Sequence, residues 1–177
     1  SSDVCSSDLE SKCKKVIIIK GNHKDLWNIL PNCKLITMNH TIEHLPNPEN
    51  IIKNLYKKLN KEGFLDGQTP ATDSIERKLF RKFWSGYHSP RHTVIFSKNS
   101  LKKLLIRNNF DNIKINIAFN PASYAVSIGS LFCGKESYGI QRQGIIWFIL
   151  LVFGAFFWLI DLLLNSPGVV NFRATKR

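Results

Sequence analysis

The chain has 177 residues, an apolar fraction of 44% and a formal net charge of +12. That length holds one domain with a core of its own, and that composition excludes wholesale disorder. The positive charge comes from 18 Lys and 7 Arg, accompanied by 16 Asn and spread along the sequence, so it reads as compositional bias and nucleic acid is not an expected partner.

Cys5, Cys13, Cys33 and Cys133 form no C-x-x-C pair and suit neither a zinc ribbon nor a disulfide framework. They are expected as separate thiols in a reducing compartment. The first fifteen residues lack the apolar stretch of a signal peptide.

Residues 1–9, SSDVCSSDL, repeat themselves without periodicity and are expected to be a non-native or junction segment. Val16, Ile17, Ile18 and Ile19 read as a buried parallel strand, residues 25–30 as one helical turn, and residues 35–38 as the next strand. The helix that follows has Asn47 at its N-cap and Pro48 at its first position, with Glu49 at the positive end of the dipole. Lys57, Lys58 and Lys61 lie near the other end, and Gly63 is expected at the C′ position. Ile51, Ile52, Leu55 and Leu59 make its apolar face.

Residues 63–70 read as a weak strand, because Asp66 and Gly67 are poor strand formers. Asp73 is expected to cap a helix with Ile75, Leu79, Phe80 and Phe83 inward. Ser97 is expected to cap another with Leu101, Leu104, Leu105 and Phe110 inward. Ile113, Ile115, Ile117 and Phe119 alternate as one strand face, and residues 169–175 are a last strand. Strands separated by helices imply an α/β layered sheet with parallel strands, whose ligands sit at the strands' carboxyl ends. The loops after Met38 and Gln68 are therefore where chemistry is expected.

Two constellations stand on or near these loops. His40-Thr41-Ile42-Glu43-His44 spells H-x-x-E-H, a zinc-peptidase pattern. That pattern needs a helix, and here it follows a strand and runs into Pro46 and Pro48, so no metal is assigned. Trp84-Ser85-Gly86-Tyr87-His88-Ser89-Pro90-Arg91-His92 joins aromatics that can wall a pocket to Arg and His that can hold an anion or move a proton. Packing of the Trp84 loop, and a loop-fixing hydrogen bond between Glu43 and His44, are the structural alternatives.

Residues 35–48, with Glu43-His44-Leu45 and Asn47-Pro48, resemble the strand and loop "D-x-I-x-x-x-x-x-x-E-H-L-x-D-P" of class I S-adenosylmethionine-dependent methyltransferases. Residues 63–70 resemble that family's "G-G-x-L-x-I-x-T-P". The Trp84–His92 loop resembles "W-x-G-x-x-P-P-R-H" of its ubiquinone-biosynthesis-like branch. Cys33-Lys34 replaces the family's acidic residue before the strand.

The resemblance covers about residues 15–119 and the last strand. It implies S-adenosylmethionine as methyl donor, with Asn39, His40 and Thr41 beside it. It also implies an acceptor met by Glu43, His44, Trp84, Tyr87, His88, Arg91 and His92. The family's glycine-rich donor loop has no counterpart here, since Gly21 is the one glycine before Gly63. The expectation is therefore a fragment lacking the main donor-binding motif and inactive alone.

Residues 144–160 carry no charge, and Asp161 is followed by three leucines. At ~1.5 Å per residue, the 21 residues to Leu164 span roughly 30 Å, a bilayer's apolar depth. If the tail strand rejoins the sheet, both ends lie on one side. A re-entrant hairpin bent at Gly154-Ala155, or a deeply seated interfacial helix, is preferred to a single span.

The expected fold is thus α/β: a partial Rossmann-like methyltransferase sheet, N-terminal strands missing, with an apolar helical insertion before the last strand. Its segments are 1–9, 10–143, 144–164 and 165–177. The expected function is methylation of a small-molecule or lipid-linked acceptor at the cytoplasmic side of a membrane. The alternative is a membrane-anchored binding module without catalysis.

Overall fold

The computed structural model describes residues 27–88, 90–134, 144–166 and 168–177. The chain divides into two units, Ser1–Pro31 and Asn32–Arg177. Of the first, residues 27–29 form a helical turn, within the expected 25–30. The strand expected at Val16–Ile19 and the junction segment 1–9 lie outside the described residues.

The second unit is a mixed α/β fold around a four-stranded sheet. In chain order it contains β1 (Cys33–Asn39), α1 (Pro48–Lys58), β2 (Leu59–Pro70), α2 (Ile75–Phe80), α3 (Lys98–Arg107), β3 (Phe110–Ile117), α4 (Pro121–Cys133), α5 (Gly144–Leu164) and β4 (Val169–Lys176). The strands lie in the order β1-β2-β4-β3.

The all-parallel expectation is corrected. β1 and β2 are parallel, but β4 is antiparallel to both β2 and β3 and lies between them. The reason is where β4 begins. The helical pair α4–α5 returns the chain to the carboxyl edge it left, with Val169 opposite Pro70, so β4 can only run back down the sheet.

Leu65, Val170, Phe172 and Ala174 of the sheet are buried, as are Ile51, Ile52 and Leu55 of α1 and Leu101, Leu104 and Leu105 of α3. The other sheet face alternates out of this core. Thr37, Asn39, Asn112, Lys114, Asn116, Asn171 and Arg173 are exposed there, together with Leu35 and Phe64.

Local punctuation follows the side chains, with three departures. Asn47 caps α1 by accepting from the Asn50 N–H, as expected. The helix stops at Lys58, however, and Gly63 lies inside β2. The jump in register from Cys33↔Leu59 to Leu35↔Phe64 takes up residues 60–63, with Glu62 at a φ of 60°.

Second, β2 is a full strand through Asp66 and Gly67. Asp66 meets the Arg173 guanidinium of β4 at 2.8 Å. Gly67 is required by close approach, because a Cβ there would lie 2.6 Å from the Met38 carbonyl oxygen and from the Phe172 ring. Packing overrides low propensity at both positions.

Third, α2 is capped by Ser74, which accepts from the Arg77 N–H, while Asp73 accepts from the Lys98 N–H. Leu79 is exposed and Glu76 takes the buried position instead. Ser97 caps α3 through a reciprocal box with Ser100. Phe119 lies beyond β3, exposed, with its ring edge-on to Trp158.

Sequence reading had assigned nothing to residues 121–133, which form α4. Its signals are Pro121 after Asn120 and Gly134 in the left-handed conformation at its end. α5 is one helix through Gly154, not a hairpin. A Cβ at Gly154 would collide with the Pro121 carbonyl oxygen, so this glycine marks where α4 and α5 cross. Tyr124 stacks on Phe157 at 5.4 Å, and the Trp158 indole N–H donates to the Ala118 carbonyl at 2.8 Å. Only Gly154 and Asp161 of α5 are buried.

Candidate active site at the carboxyl edge of the sheet

The chain turns sharply where β1 ends. His40 has a φ of 46°, and its N–H donates to the Gln68 carbonyl at 2.8 Å, which ties the turn to the end of β2. A single 3-10 turn, Ile42–His44, follows. The zinc-peptidase helix is therefore not formed.

The His40 ring lies between two acceptors. Its Nδ1 is 3.2 Å from Glu43 Oε1, and its Nε2 is 2.8 Å from Gln68 Oε1. Gln68 gives its own N–H to Asn171 Oδ1 at 2.9 Å, which fixes the amide so that its oxygen faces the histidine. Both imidazole nitrogens then have to donate, which favours imidazolium. The hydrogen bond to Glu43 accordingly raises the His40 pKa above its ordinary value, against the opposing effect of burial.

Glu43 is fully buried. Burial resists its ionisation, but hydrogen bonds from His40, the backbone and Thr69 outweigh that, and its pKa lies below the usual carboxylate value. Thr69 Oγ1 donates to its Oε2 at 3.0 Å. Its carbonyl accepts from the N–H groups of Thr93 and Val94. Glu43 thus joins the loop after β1, the end of β2 and the loop that carries Arg91 and His92.

That second loop brings further imidazoles to the same place. His44 Nδ1–H donates to the Arg91 carbonyl at 2.9 Å, and His92 Nδ1–H donates to the Gly86 carbonyl at 2.7 Å. A carbonyl can only accept, so each ring has a proton on Nδ1. The two rings meet edge-on at 4.7 Å, and His88 meets His92 at 5.3 Å. Burial lowers the His92 pKa, so that ring is neutral near pH 7 and able to accept a proton.

His40, His44, His88 and His92 all line one cavity of about 360 Å³. Its other walls are Pro70 and Val169 at the strand ends, Ser85 and Gly86 of the loop, and Asn120, Ala122, Ser123 and Val126 at the start of α4.

The remaining expected site residues surround this cavity without lining it. Trp84 is 1% exposed and packs with Phe80 and Tyr124. Tyr87 stands edge-on to Trp84 at 5.0 Å and is partly exposed. The Arg91 side chain is exposed, and its contribution here is its carbonyl. Asn39 and Thr41 are exposed beside His40, with Thr41 Oγ1 donating to the Asn39 carbonyl.

One ligand atom each from Glu43, His44 and His92 lies within 4.8 Å of the others. Both Glu43 oxygens accept hydrogen bonds, from His40 and Thr69. Gln68, Asn171, Ser85 and Ser123 were not singled out by sequence reading. Gln68 stands at a strand end and Ser85 within the Trp84 motif, whereas nothing local marks Asn171 or Ser123.

Residues 3–115 match the family model of a methyltransferase domain, more than half of the chain. The chain belongs to that methyltransferase-domain family. Its fold is similar to that of an S-adenosylmethionine-dependent methyltransferase from Archaeoglobus fulgidus, at 17% identity and a TM-score of 0.57, over 96% of this chain and 72% of that one. It is also similar to a candidate sarcosine dimethylglycine methyltransferase from Galdieria sulphuraria, at 10% identity and a TM-score of 0.53, over 97% and 63%. A Thermotoga maritima S-adenosylmethionine-dependent methyltransferase, a candidate histamine N-methyltransferase, aligns at 17% identity and a TM-score of 0.49. That alignment covers 81% of this chain but only 56% of the Thermotoga chain. No curated protein matches the sequence.

Proposed function

We propose that this chain carries the acceptor side of an S-adenosylmethionine-dependent methyltransferase of the ubiquinone-biosynthesis-like branch. It acts on a small or lipid-linked acceptor at the cytoplasmic side of a membrane, held there by α5 as a peripheral, deeply seated interfacial helix. The observation that carries this reading is the cavity at the carboxyl ends of β1 and β2, lined by four imidazoles, in a chain of the methyltransferase-domain family. S-adenosylmethionine, when bound, supplies a methyl group activated by a sulfonium centre. The part left to the chain is to hold the acceptor in line and to take up its proton.

The site residues divide by reach. Asn39, His40 and Thr41 face the donor from the end of β1. His44, His88 and His92 touch the acceptor, and the neutral His92 imidazole is the proton acceptor. Glu43, Trp84 and Tyr87 hold the two loops in place. Arg91 fixes His44 through its carbonyl, and its guanidinium is exposed.

The chain as it stands binds the donor weakly, because no glycine-rich loop is present to hold it. Titration calorimetry with S-adenosylmethionine is expected to give no micromolar Kd, and a micromolar value would overturn the placement of the donor site. In a chain joined to a donor-binding half, His92→Ala lowers turnover by about 10²-fold or more, as for the loss of a positioned base. Arg91→Ala lowers it less. Unchanged turnover in both, with melting intact, would leave His92 and Arg91 as structural parts of their loop.

A further inference from the structure

A second buried carboxylate lies behind the cavity and has no part in the network of Glu43. Glu76 of α2 is fully buried. Ser123 Oγ donates to it, 2.7 and 2.9 Å from its two oxygens, and Ser127 Oγ donates at 2.7 Å. Ser85 Oγ lies 3.3 Å from Glu76 Oε1 and 2.8 Å from Ser123 Oγ. Ser127 Oγ in turn accepts from the Ser85 N–H at 2.8 Å. Gly168 packs directly on the carboxylate, where a Cβ would collide with it.

Among the described residues no basic side chain pairs with Glu76. Asp161 adds a second carboxylate nearby and pushes its ionisation in the same unfavourable direction as burial. Burial raises the Glu76 pKa above the ordinary carboxylate value, against the hydrogen bonds of Ser127 and Ser123 and the Trp84 indole beside it, so an ionised Glu76 lacks a counter-charge that a bound cation would supply.

Two of the hydroxyls that serve Glu76 also face the cavity, since Ser85 and Ser123 both line it. Each hydroxyl has one hydrogen. Ser123 spends its hydrogen on Glu76, and Ser85 spends its on Glu76 or on Ser123. What both turn toward the cavity is therefore lone pairs. This wall accepts hydrogen bonds and cannot give them, and with Glu76 ionised it stands in the negative potential of the carboxylate behind it. A carboxylate or phosphate would find no donor at this wall, and would have to turn to the imidazoles of the same cavity.

We propose that the Ser85–Ser123 wall, backed by Glu76, is the recognition site for a cationic amine, so that the acceptor is methylated at or beside an ammonium nitrogen. This deepens the reading of the cavity as the acceptor site and rests on it. The bound ammonium donates its N–H groups to the two serine oxygens and supplies the positive charge that Glu76 lacks. For transfer to that nitrogen, the ammonium gives one proton to a neutral imidazole of the cavity. The freed lone pair forms the new N–C bond as the donor's C–S bond breaks and its electron pair stays on sulfur.

The test is a chemical-shift titration of the full chain in detergent at neutral pH, followed at the amides of Ser85 and Ser123. The probes are ethanolamine, ethylene glycol, acetate and inorganic phosphate. Ethanolamine is expected to shift these amides with an affinity about tenfold above that of ethylene glycol, the size of one charge-assisted hydrogen bond. Acetate and phosphate are expected to leave them unmoved. Glu76→Gln keeps the shape, removes the charge and should abolish the preference for ethanolamine. Should that variant fail to fold, Ser85→Ala, at a partly exposed loop position, should weaken ethanolamine alone. If acetate or phosphate binds there, or ethanolamine is indifferent to both substitutions, the amine assignment falls while the cavity remains an acceptor site. If none of the probes moves any cavity amide, the assignment of the cavity to the acceptor falls with it.

Discussion

α4 and α5 are consecutive helices without a basic residue, and they pack on each other, yet they have opposite surroundings. In α4 residues 123–127 are buried, and its serines are turned inward to Glu76 and to the helix's own backbone, as with Ser130 on the Val126 carbonyl. In α5 the one charged residue, Asp161, is 2% exposed, while Ile145, Ile146, Phe148, Phe153 and Phe156 are more than half exposed. The difference comes from side-chain size. Pro, Ala, Ser and Gly let other elements close over α4, whereas the Ile, Phe and Leu of α5 meet α4 along one stripe and leave the rest uncovered. A helix in water turns charge outward and apolar surface inward, and α5 does the reverse. That inversion is what supports the membrane reading. It also gives Asp161 a buried place beside Tyr124, rather than a tolerated position near the helix end.

The comparison breaks most decisively if α5 is made polar outside. Ile146→Lys and Phe153→Lys alter two exposed positions and no buried contact. Each places a charge where the bilayer's apolar depth is expected, at about 2.5–3.5 kcal/mol near the centre. The double variant is expected to lose flotation with liposomes by at least about a hundredfold while its melting stays unchanged. Flotation equal to that of the parent would remove α5 from the membrane. In a cysteine-free background, single cysteines at Tyr138 and Arg177 should be labelled from the same face of sealed vesicles, because α5 is proposed to lie in the interface without crossing. Labelling from opposite faces would mean a true span.

The seam between the two helices is tested at Gly154. Gly154→Val drives a branched side chain into the Pro121 carbonyl, and backbone cannot yield as a flexible side chain could. The expected loss is about 1–3 kcal/mol, as for overpacking. It would be read as a lowered melting temperature and faster proteolysis between residues 134 and 144. Membrane flotation should survive, since the outer face of α5 is untouched. A variant as stable as the parent would mean that the two helices part easily and that the crossing is not what sets the inversion.

How much of this was legible in the sequence depends on whether a residue's role is local. The caps at Asn47 and Ser97, the strand at residues 35–38, the tail strand and the limits of α5 all follow from period, capping chemistry and hydropathy. The role of Asp66-Gly67 did not, because it is set by Phe172 and Arg173 more than a hundred residues away in sequence. The end of α1 was misplaced for a similar reason. Gly63 looks like a helix stop, but β1 recruits residues from Leu59 onward into a strand. In the site, Glu43 and the four histidines stood out as chemistry-bearing residues at a strand end. Ser123 and Glu76 could not, since a serine in an apolar helix and a glutamate in a short one are silent until the fold sets them face to face.

The smallest expected effect distinguishes the two buried carboxylates by their partners. Glu43 has a histidine beside it, and Glu76 has serine hydroxyls and the Trp84 indole. His40 has a raised pKa in the fold, so its contribution to stability is fully present below its ordinary value of 6.5 and is lost as pH rises through the raised value. Glu43 has a lowered pKa, so its contribution is present above its ordinary value of 4.5 and is lost as pH falls through the lowered one. The pair therefore supports the fold most between about 4.5 and 6.5, with a decline on the alkaline side that belongs to His40. His40 is half exposed, so this decline should stay under about 1 kcal/mol. His40→Gln keeps a donor toward Glu43 but cannot titrate. Melting temperature followed from pH 5.5 to 9 should fall in the parent and run flatter in His40→Gln. Parallel curves in the two proteins would mean that Glu43 is held by Thr69 and the backbone alone, and that the imidazole beside it is a bystander.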